Sequence, residues 1–298
     1  MIAFCLFITA LTGVYAFVGD RTFWGAWLSI APSAIWALFL LPTVALLRSR
    51  MAFLFLLGFT LATTDWPGHV GARASSPADT IRVVSWNIGA ENVGWADAVR
   101  SLKPDIVLVQ ESSKPLLVWK GFDWYGTPDP GTLTRFPAEI LPTEKVGPWS
   151  APQLLLVEVR GRKILVANVH LMLPAAVLQL VDPLEANPLE NYRLRVGQFG
   201  RLASLIRSAA ETTGAEGIIL AGDFNTPARM PSLDPLRVFL TDAWTTRGSG
   251  WSATMPAFLP LERIDHIWVS PGVEPISVRV VPLDGSDHRA VVADLRVD

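Results

Sequence analysis

Ile218-Ile219-Leu220-Ala221-Gly222-Asp223-Phe224-Asn225-Thr226-Pro227 joins an apolar run to an abrupt polar end. Four apolar residues in a row, Ile218 to Ala221, predict a strand covered on both faces. Gly222 is free to turn the chain as it leaves the sheet. Asp223 and Asn225 stand two apart, so an extended backbone sends both side chains to one side. A carboxylate beside a carboxamide at the end of a buried strand needs something to satisfy it. Two readings fit this stretch by itself: an Asx-rich turn, or part of a polar site.

Other stretches repeat the pattern. Ile81 to Gly89 reads as a strand that ends in Asn87, and Pro104 to Glu111 as a buried strand that ends in Gln110-Glu111. A carboxylate at the position of Glu111 is either exposed by a sharp turn or held by a cation. Leu154–Val159 and Lys163–Val169 predict a hairpin about Gly161, the second strand running on into His170. A lone Asn or His at a strand end also occurs as a turn former or a satisfied structural residue. Arg263 to Ser270 reads as a strand in which Asp265 faces away from Ile264 and His266. Ala290 to Leu295 is the closing strand. Trp95–Leu102 and Leu194–Ile206 have helical spacing, with Arg193, Arg195 and Arg201 expected on a solvent face.

Charge divides the chain. Residues 1–64 hold only Asp20, Arg21, Arg48 and Arg50 as charged side chains. Three apolar runs there, 1–19, 23–47 and 51–64, predict transmembrane helices. Core helices of a soluble protein are the alternative. Arg48 and Arg50 belong in the cytoplasm by the positive-inside tendency. Three crossings then make an integral protein of the inner or plasma membrane, its C-terminal domain extracytoplasmic; if 51–64 does not cross, that domain lies in the cytoplasm. Residues 65–80 read as a linker, with Trp66-Pro67-Gly68 and Ser75-Ser76-Pro77 as breakers. From Asp79 onward 21 basic and 25 acidic side chains leave a balance of −4. That argues against a broad basic face for nucleic acid. Cys5 is the single cysteine, so no intramolecular disulfide can form. Leu173 to Asn191 is Pro-rich and apolar, either a surface loop or a lip for a membrane or lipid.

Ser85-Trp86-Asn87-Ile88, Asp105-Ile106-Val107-Leu108-Val109-Gln110-Glu111, Gly222-Asp223-Phe224-Asn225 and Ser286-Asp287-His288 occur in that order. Together they resemble the signature of the endonuclease/exonuclease/phosphatase superfamily, the deoxyribonuclease I-like fold, here of a membrane-anchored bacterial type. Thr132 to Pro137 is similar to the family's Leu-Ser-Arg-Phe-Pro segment, with Thr134 in place of Ser. No convincing counterpart is found near it for the acidic residue that some nucleases use to orient the first catalytic His. Trp251 to Pro256 resembles a loop that often shapes substrate choice, with Met255 replacing a Trp. The resemblance covers about residues 80–298. It implies an α/β fold, a four-layer α/β/β/α sandwich of two packed mixed β-sheets, for a catalytic domain at 81–298.

The resemblance also implies roles. Glu111 and Asn87, with Asp287 nearby, would hold Mg²⁺ or Mn²⁺. Asp223 would orient or deprotonate a water, and Asn225 would bond a phosphate oxygen. His288 would pair with Asp265, and His170 would contact the phosphate or assist the leaving group. Such a set hydrolyses a phosphodiester or phosphomonoester. Tethering at a bilayer favours a lipid-linked or envelope phosphoester over nucleic acid. No obligate protein partner is evident. A membrane-anchored nuclease and a catalytically inactive scaffold are the alternatives.

Overall fold

Side chains alternate across a strand, so a strand that is apolar at every position must be covered on both sides. The computed structural model describes residues 2–29, 33–63, 79–90, 92, 94–113, 119–126, 129–148, 150–174 and 187–298. Most of the expected linker and lip, residues 64–78 and 175–186, lies outside them.

Among the described residues twelve strands form two sheets of six. One holds β1 (Thr80–Asn87), β2 (Ile106–Gln110), β3 (Asp123–Gly126), β4 (Gly131–Thr134), β11 (Val273–Val281) and β12 (Ala290–Val297). Its order is β11-β12-β1-β2-β4-β3. The other holds β5 (Ala138–Leu141), β6 (Gln153–Val159), β7 (Arg162–His170), β8 (Gly217–Asp223), β9 (Thr241–Asp242) and β10 (Asp265–Val269). Its order is β5-β6-β7-β8-β10-β9. In each sheet one central pair is parallel, β1 with β2 and β7 with β8, and the other pairs are antiparallel.

The alternation sorts the core into layers. Val83, Ile106, Leu108, Val166, Ile219, Ala221, Ile267 and Val291 meet between the sheets. Val84, Trp86, Val107 and Val109 face the other way and pack with Trp95 and Val99 of α5 (Trp95–Arg100). Leu165, Ala167, Leu220 and Trp268 cover the second sheet's outer face with Phe199, Leu202 and Ile206 of α6 (Pro188–Thr213). Helix, sheet, sheet, helix is the expected sandwich. The helix expected over 194–206 runs further in both directions. Asn187 caps its start by accepting from Glu190 N, Pro188 fits its first turn, and Gly214 ends it at φ +64°.

The N-terminal run departs from expectation. Among the described residues no helix is long and apolar enough to cross a membrane. The first run, 1–19, forms α1 (Ile2–Gly13), widens to a π-helix at Val14–Val18 and turns at Gly19–Arg21. In the second, 23–47, the described residues form α2 (Phe23–Ser29) and α3 (Ser33–Leu47). The third is α4 (Arg50–Thr63), whose 14 residues span about 21 Å, against a hydrocarbon core of about 30 Å. These helices pack on one another through Ile8, Leu11, Tyr15, Ala52, Leu56 and Phe59.

Gly222 also differs. The chain does not turn there: Gly222 is paired with Val169 on one side and His266 on the other. Its φ is +143°, and a Cβ would overlap the Val169 backbone. Close approach, not a turn, demands the glycine. Gly222→Ala is expected to destabilise the protein by at least about 2 kcal/mol through this backbone clash. Chemical denaturation followed by Trp fluorescence would measure the loss.

Candidate active site

The sheets bring their polar strand ends to one edge of the sandwich. β1 ends at Asn87, β7 at His170 and β8 at Asp223, while Glu111 follows β2 directly. Asp265 opens β10 directly opposite Asp223. His288 lies just before β12, in a loop fixed to the end of β1. There Ser286 Oγ donates to the Asn87 carbonyl at 2.6 Å and accepts from His288 N at 3.0 Å, and Trp86 Nε1 donates to the His288 carbonyl at 3.0 Å.

Glu111 is exposed by the sharp turn its position suggested. It adopts the left-handed conformation, φ +58°, and its side chain is 41% exposed. Asn225 is the second left-handed site residue, at φ +48°. Both readings of the opening stretch hold together. Asn225 N donates to Asp223 Oδ1 at 2.8 Å, which is an Asx turn, and that turn fixes a carboxylate inside the polar cluster. The amide of Asn225 donates to the Leu171 carbonyl at 2.9 Å.

The predicted residues converge. Asn87 Nδ2 donates to Glu111 Oε1 at 2.9 Å and to Asp223 Oδ2 at 3.0 Å. His288 Nδ1 is 2.9 Å from Asp265 Oδ2, and its Nε2 is 3.8 Å from Asp223 Oδ2. His170 Nε2 is 3.7 Å from Glu111 and 3.9 Å from Asp223. Asp265 faces the site while His266, one residue on, is buried on the other side, its ring bonded to Arg263 and the Thr226 carbonyl. Asn87, Glu111, His170, Asp223, Asp265 and His288 thus share one cluster, with Asn225 beneath it. Asp287 stands exposed on the rim of an open groove with Gly89, Asn92, Phe258 and Gly285.

Three groups escaped sequence reasoning. Asp129 is the acidic partner of His170, at 3.0 Å from Nδ1, and its other oxygen accepts from Glu111 N at 3.0 Å. It stands just before Pro130, three residues ahead of the Thr132–Pro137 segment, and nothing but that proximity signalled it. Gln110 and Asn168 join across the two sheets at 2.7 Å, a polar bridge on neighbours of Glu111 and His170. Arg195, expected in solvent, is 4% exposed, because its face of α6 packs behind the Asp223–Asn225 turn.

Electrostatics follow from this crowding. Burial lowers the His170 pKa, but the bond to Asp129 and the charges of Asp223, Asp129 and Glu111 outweigh it, raising the pKa to about 9. His288 is likewise lowered by burial and raised more by Asp265, with Asp223 and Asp287 adding to it, to about 10. Asp223 is pushed above the usual carboxylate range, by burial first and by Asp265 second.

The donor set fits a hard divalent cation. Donor atoms of Asp223, Asp265 and His288 lie within 4.8 Å of one another, but His288 Nδ1 and Asp265 are already bonded to each other. Magnesium prefers oxygen ligands and keeps waters. Glu111, half exposed at the mouth, is the better first ligand. Asn87, whose amide oxygen accepts from Gly89 N at 3.1 Å, would be the second residue to hold the cation.

A model of the endonuclease/exonuclease/phosphatase family matches residues 84–288. The chain belongs to this family. Family members are phosphoric ester hydrolases. The fold is shared with solved structures at low identity. An endonuclease/exonuclease/phosphatase family protein of Bacteroides thetaiotaomicron is 18% identical, with TM-score 0.56 over 74% of this chain and 95% of that one. The mannosyl-6-phosphatase of the same species is 17% identical, with TM-score 0.54 over 72% and 99%. The human Nocturnin catalytic domain, solved with a sulfate anion, is 18% identical, with TM-score 0.51 over 74% and 95%. No curated protein matches the chain.

In the metal-free protein both the His170 and His288 rings are expected to be protonated at pH 7.5, and nitrogen NMR of the rings would report it. Asp265→Asn should lower the His288 pKa by more than one unit, and Asp129→Asn should do the same to His170. The stabilising contribution of each pair is fully present below about pH 6.5 and is lost as pH rises through about 9 for His170 and about 10 for His288.

Proposed function

We propose that the chain is a Mg²⁺- or Mn²⁺-dependent phosphoesterase acting on a phosphoester presented at a membrane. One observation carries the reading: five strand ends and the loops before β4 and β12 bring two carboxylate–imidazole pairs, Asp265–His288 buried and Asp129–His170 partly exposed, and Glu111 to one cluster. A scaffold without catalysis has no need of two such pairs.

A bound divalent cation supplies charge neutralisation at the phosphate and at the leaving oxygen. The chain's own residues do the rest. Asp223 orients the attacking water and takes its proton, and its raised pKa makes it a stronger base than an ordinary carboxylate. Asp265 fixes His288 by its Nδ1 and leaves Nε2 facing Asp223. Asp129 does the same for His170, whose Nε2 faces Glu111 and Asp223. Two imidazolium rings suit contact with phosphate oxygens better than proton abstraction. Asn225 has one amide hydrogen committed to Leu171, so only its second is left for the phosphate.

The lipid side of the reading rests on the N-terminal helices. Leu6, Phe7, Leu38, Phe39, Phe53 and Leu54 all have exposed side chains. An apolar surface of that extent on a water-facing protein is unfavourable, whereas a bilayer accepts it. Helices of 12 to 15 residues fit a bilayer that thins around them. Asp20, Arg21 and Ser29 contact the catalytic domain, while Arg48 and Arg50 lie at the far end of α3. This supports Arg48 and Arg50 on the cytoplasmic side and the catalytic domain on the other, in the inner or plasma membrane. The substrate is then a lipid-linked or envelope phosphoester.

The full chain in detergent, with Mg²⁺, is expected to hydrolyse a phospholipid or polyprenyl phosphate in preference to DNA or RNA. Asp223→Ala should lower the rate about a thousandfold, and chelation should abolish it. A wild type that hydrolyses no phosphoester, or an Asp223→Ala variant as fast as wild type, sinks the reading. Preference for DNA or RNA with steep salt dependence would replace the lipid substrate by nucleic acid.

A further inference from the structure

Arg195 is a buried cation outside the cluster described above, and its contacts run in two directions. Toward the site, its Nη2 donates to the Asn225 carbonyl at 2.9 Å and to Thr226 Oγ1 at 2.6 Å. Away from it, its Nη1 lies 3.6 Å from Asp20 Oδ2. Asp20 is 2% exposed and belongs to the turn between α1 and α2. Its Oδ1 accepts from Ser232 N at 2.9 Å, and its carbonyl accepts from the Tyr192 hydroxyl at 3.2 Å. The same N-terminal segment is seated by Phe23 against the Tyr192 ring, with centroids 5.8 Å apart, and by Arg229, which donates to the Ser29 carbonyl at 3.1 Å. Gly19 passes so close to Pro231 that a Cβ would overlap the proline ring.

The energetics of this arrangement are lopsided. A guanidinium buried without a counter-charge is strongly unfavourable, so Arg195 depends on Asp20 to remain where it is. Asn225 is left-handed, a conformation that persists only when its surroundings hold it. Its carbonyl is held by Arg195, its side chain by Leu171, and its N–H by Asp223 itself. From Asp20 to the Asp223 carboxylate there is thus an unbroken series of polar contacts through one side chain and one turn.

We propose that Arg195 is a positioning residue for the Asp223–Asn225 turn, and that Asp20 of the N-terminal helical segment holds it there. The N-terminal segment then completes the catalytic machinery in addition to any role in attachment. The activity arm of the test rests on the phosphoesterase reading; the exchange arm does not.

The test is a double-mutant cycle on the full chain in detergent, with bis(4-nitrophenyl) phosphate and Mg²⁺. Asp20→Asn and Arg195→Met should each lower kcat about tenfold, with KM changed less than about twofold, because a displaced catalytic group weakens the reacting geometry more than binding. The double variant should be no slower than Arg195→Met alone, and Arg195→Lys should recover part of the rate. Arg21→Ala, which removes an exposed pair to Asp234 in the same segment, should leave the rate unchanged. Amide hydrogen exchange at Asn225 should quicken in both single variants. Independent effects that multiply in the double variant, or an Asp20→Asn variant with unaltered kcat and unaltered exchange, would overturn the proposal. Should the wild type hydrolyse nothing, the phosphoesterase reading fails by itself, and exchange at Asn225 decides the coupling: protection unchanged in Asp20→Asn and Arg195→Lys overturns it. Where Arg195→Met does not fold, Arg195→Lys takes its place in the cycle.

Discussion

Asp223 and Asp265 sit opposite each other on adjacent antiparallel strands, both buried, both carboxylates. Like charges so placed repel, and burial leaves little water to screen that repulsion. Everything around them answers that constraint. His288 bonds Asp265 and faces Asp223, Asn87 donates to Asp223 from the other sheet, and His170 approaches it from the neighbouring strand β7. Where such groups cluster with perturbed pKa values, chemistry is the usual reason. The pair also explains why several strands must end at one edge: no single strand carries enough partners.

Most of this was legible in the sequence, because it is local. An apolar run that ends in a polar residue marks a strand and its exit together, and Ile106–Glu111 and Ile218–Asp223 both announced themselves in this way. Alternation correctly separated Asp265 from His266. What escaped depends on distance in space. Asp129 acts on His170, 41 residues away in sequence, and carries no mark of its own. Arg195 looked like one more charged residue on a helix, since periodicity gives a helix a face but not the identity of what packs there. Gly222 was read as a turn because glycine's freedom and its smallness leave the same letter; the structure shows that smallness is what matters there.

The N-terminal helices show composition and geometry pulling apart. Their composition is that of a membrane interior, yet among the described residues no helix is long and apolar enough to cross one. Length is set by where helices break, and hydropathy does not report that. Nor does it report that Asp20, one of four charges in 64 residues, is buried against the catalytic domain. A rare charge in an apolar stretch is retained when something nearby binds it.

β1 pairs with β12, so the first strand of the catalytic domain lies between the last strand and β2. Thr80 meets Arg296, and Ser85 meets Val291. Pairing over so long a sequence interval is slow to establish, because a large loop must close before the contact forms. It also orders events in time. While the chain is being made, β1 has one edge without its partner until the segment carrying β12 leaves the ribosome. His288 arrives on that same segment, immediately ahead of β12. Closure of the first sheet and delivery of the His288 imidazole are therefore one event, and a nascent chain that stops short of His288 carries neither.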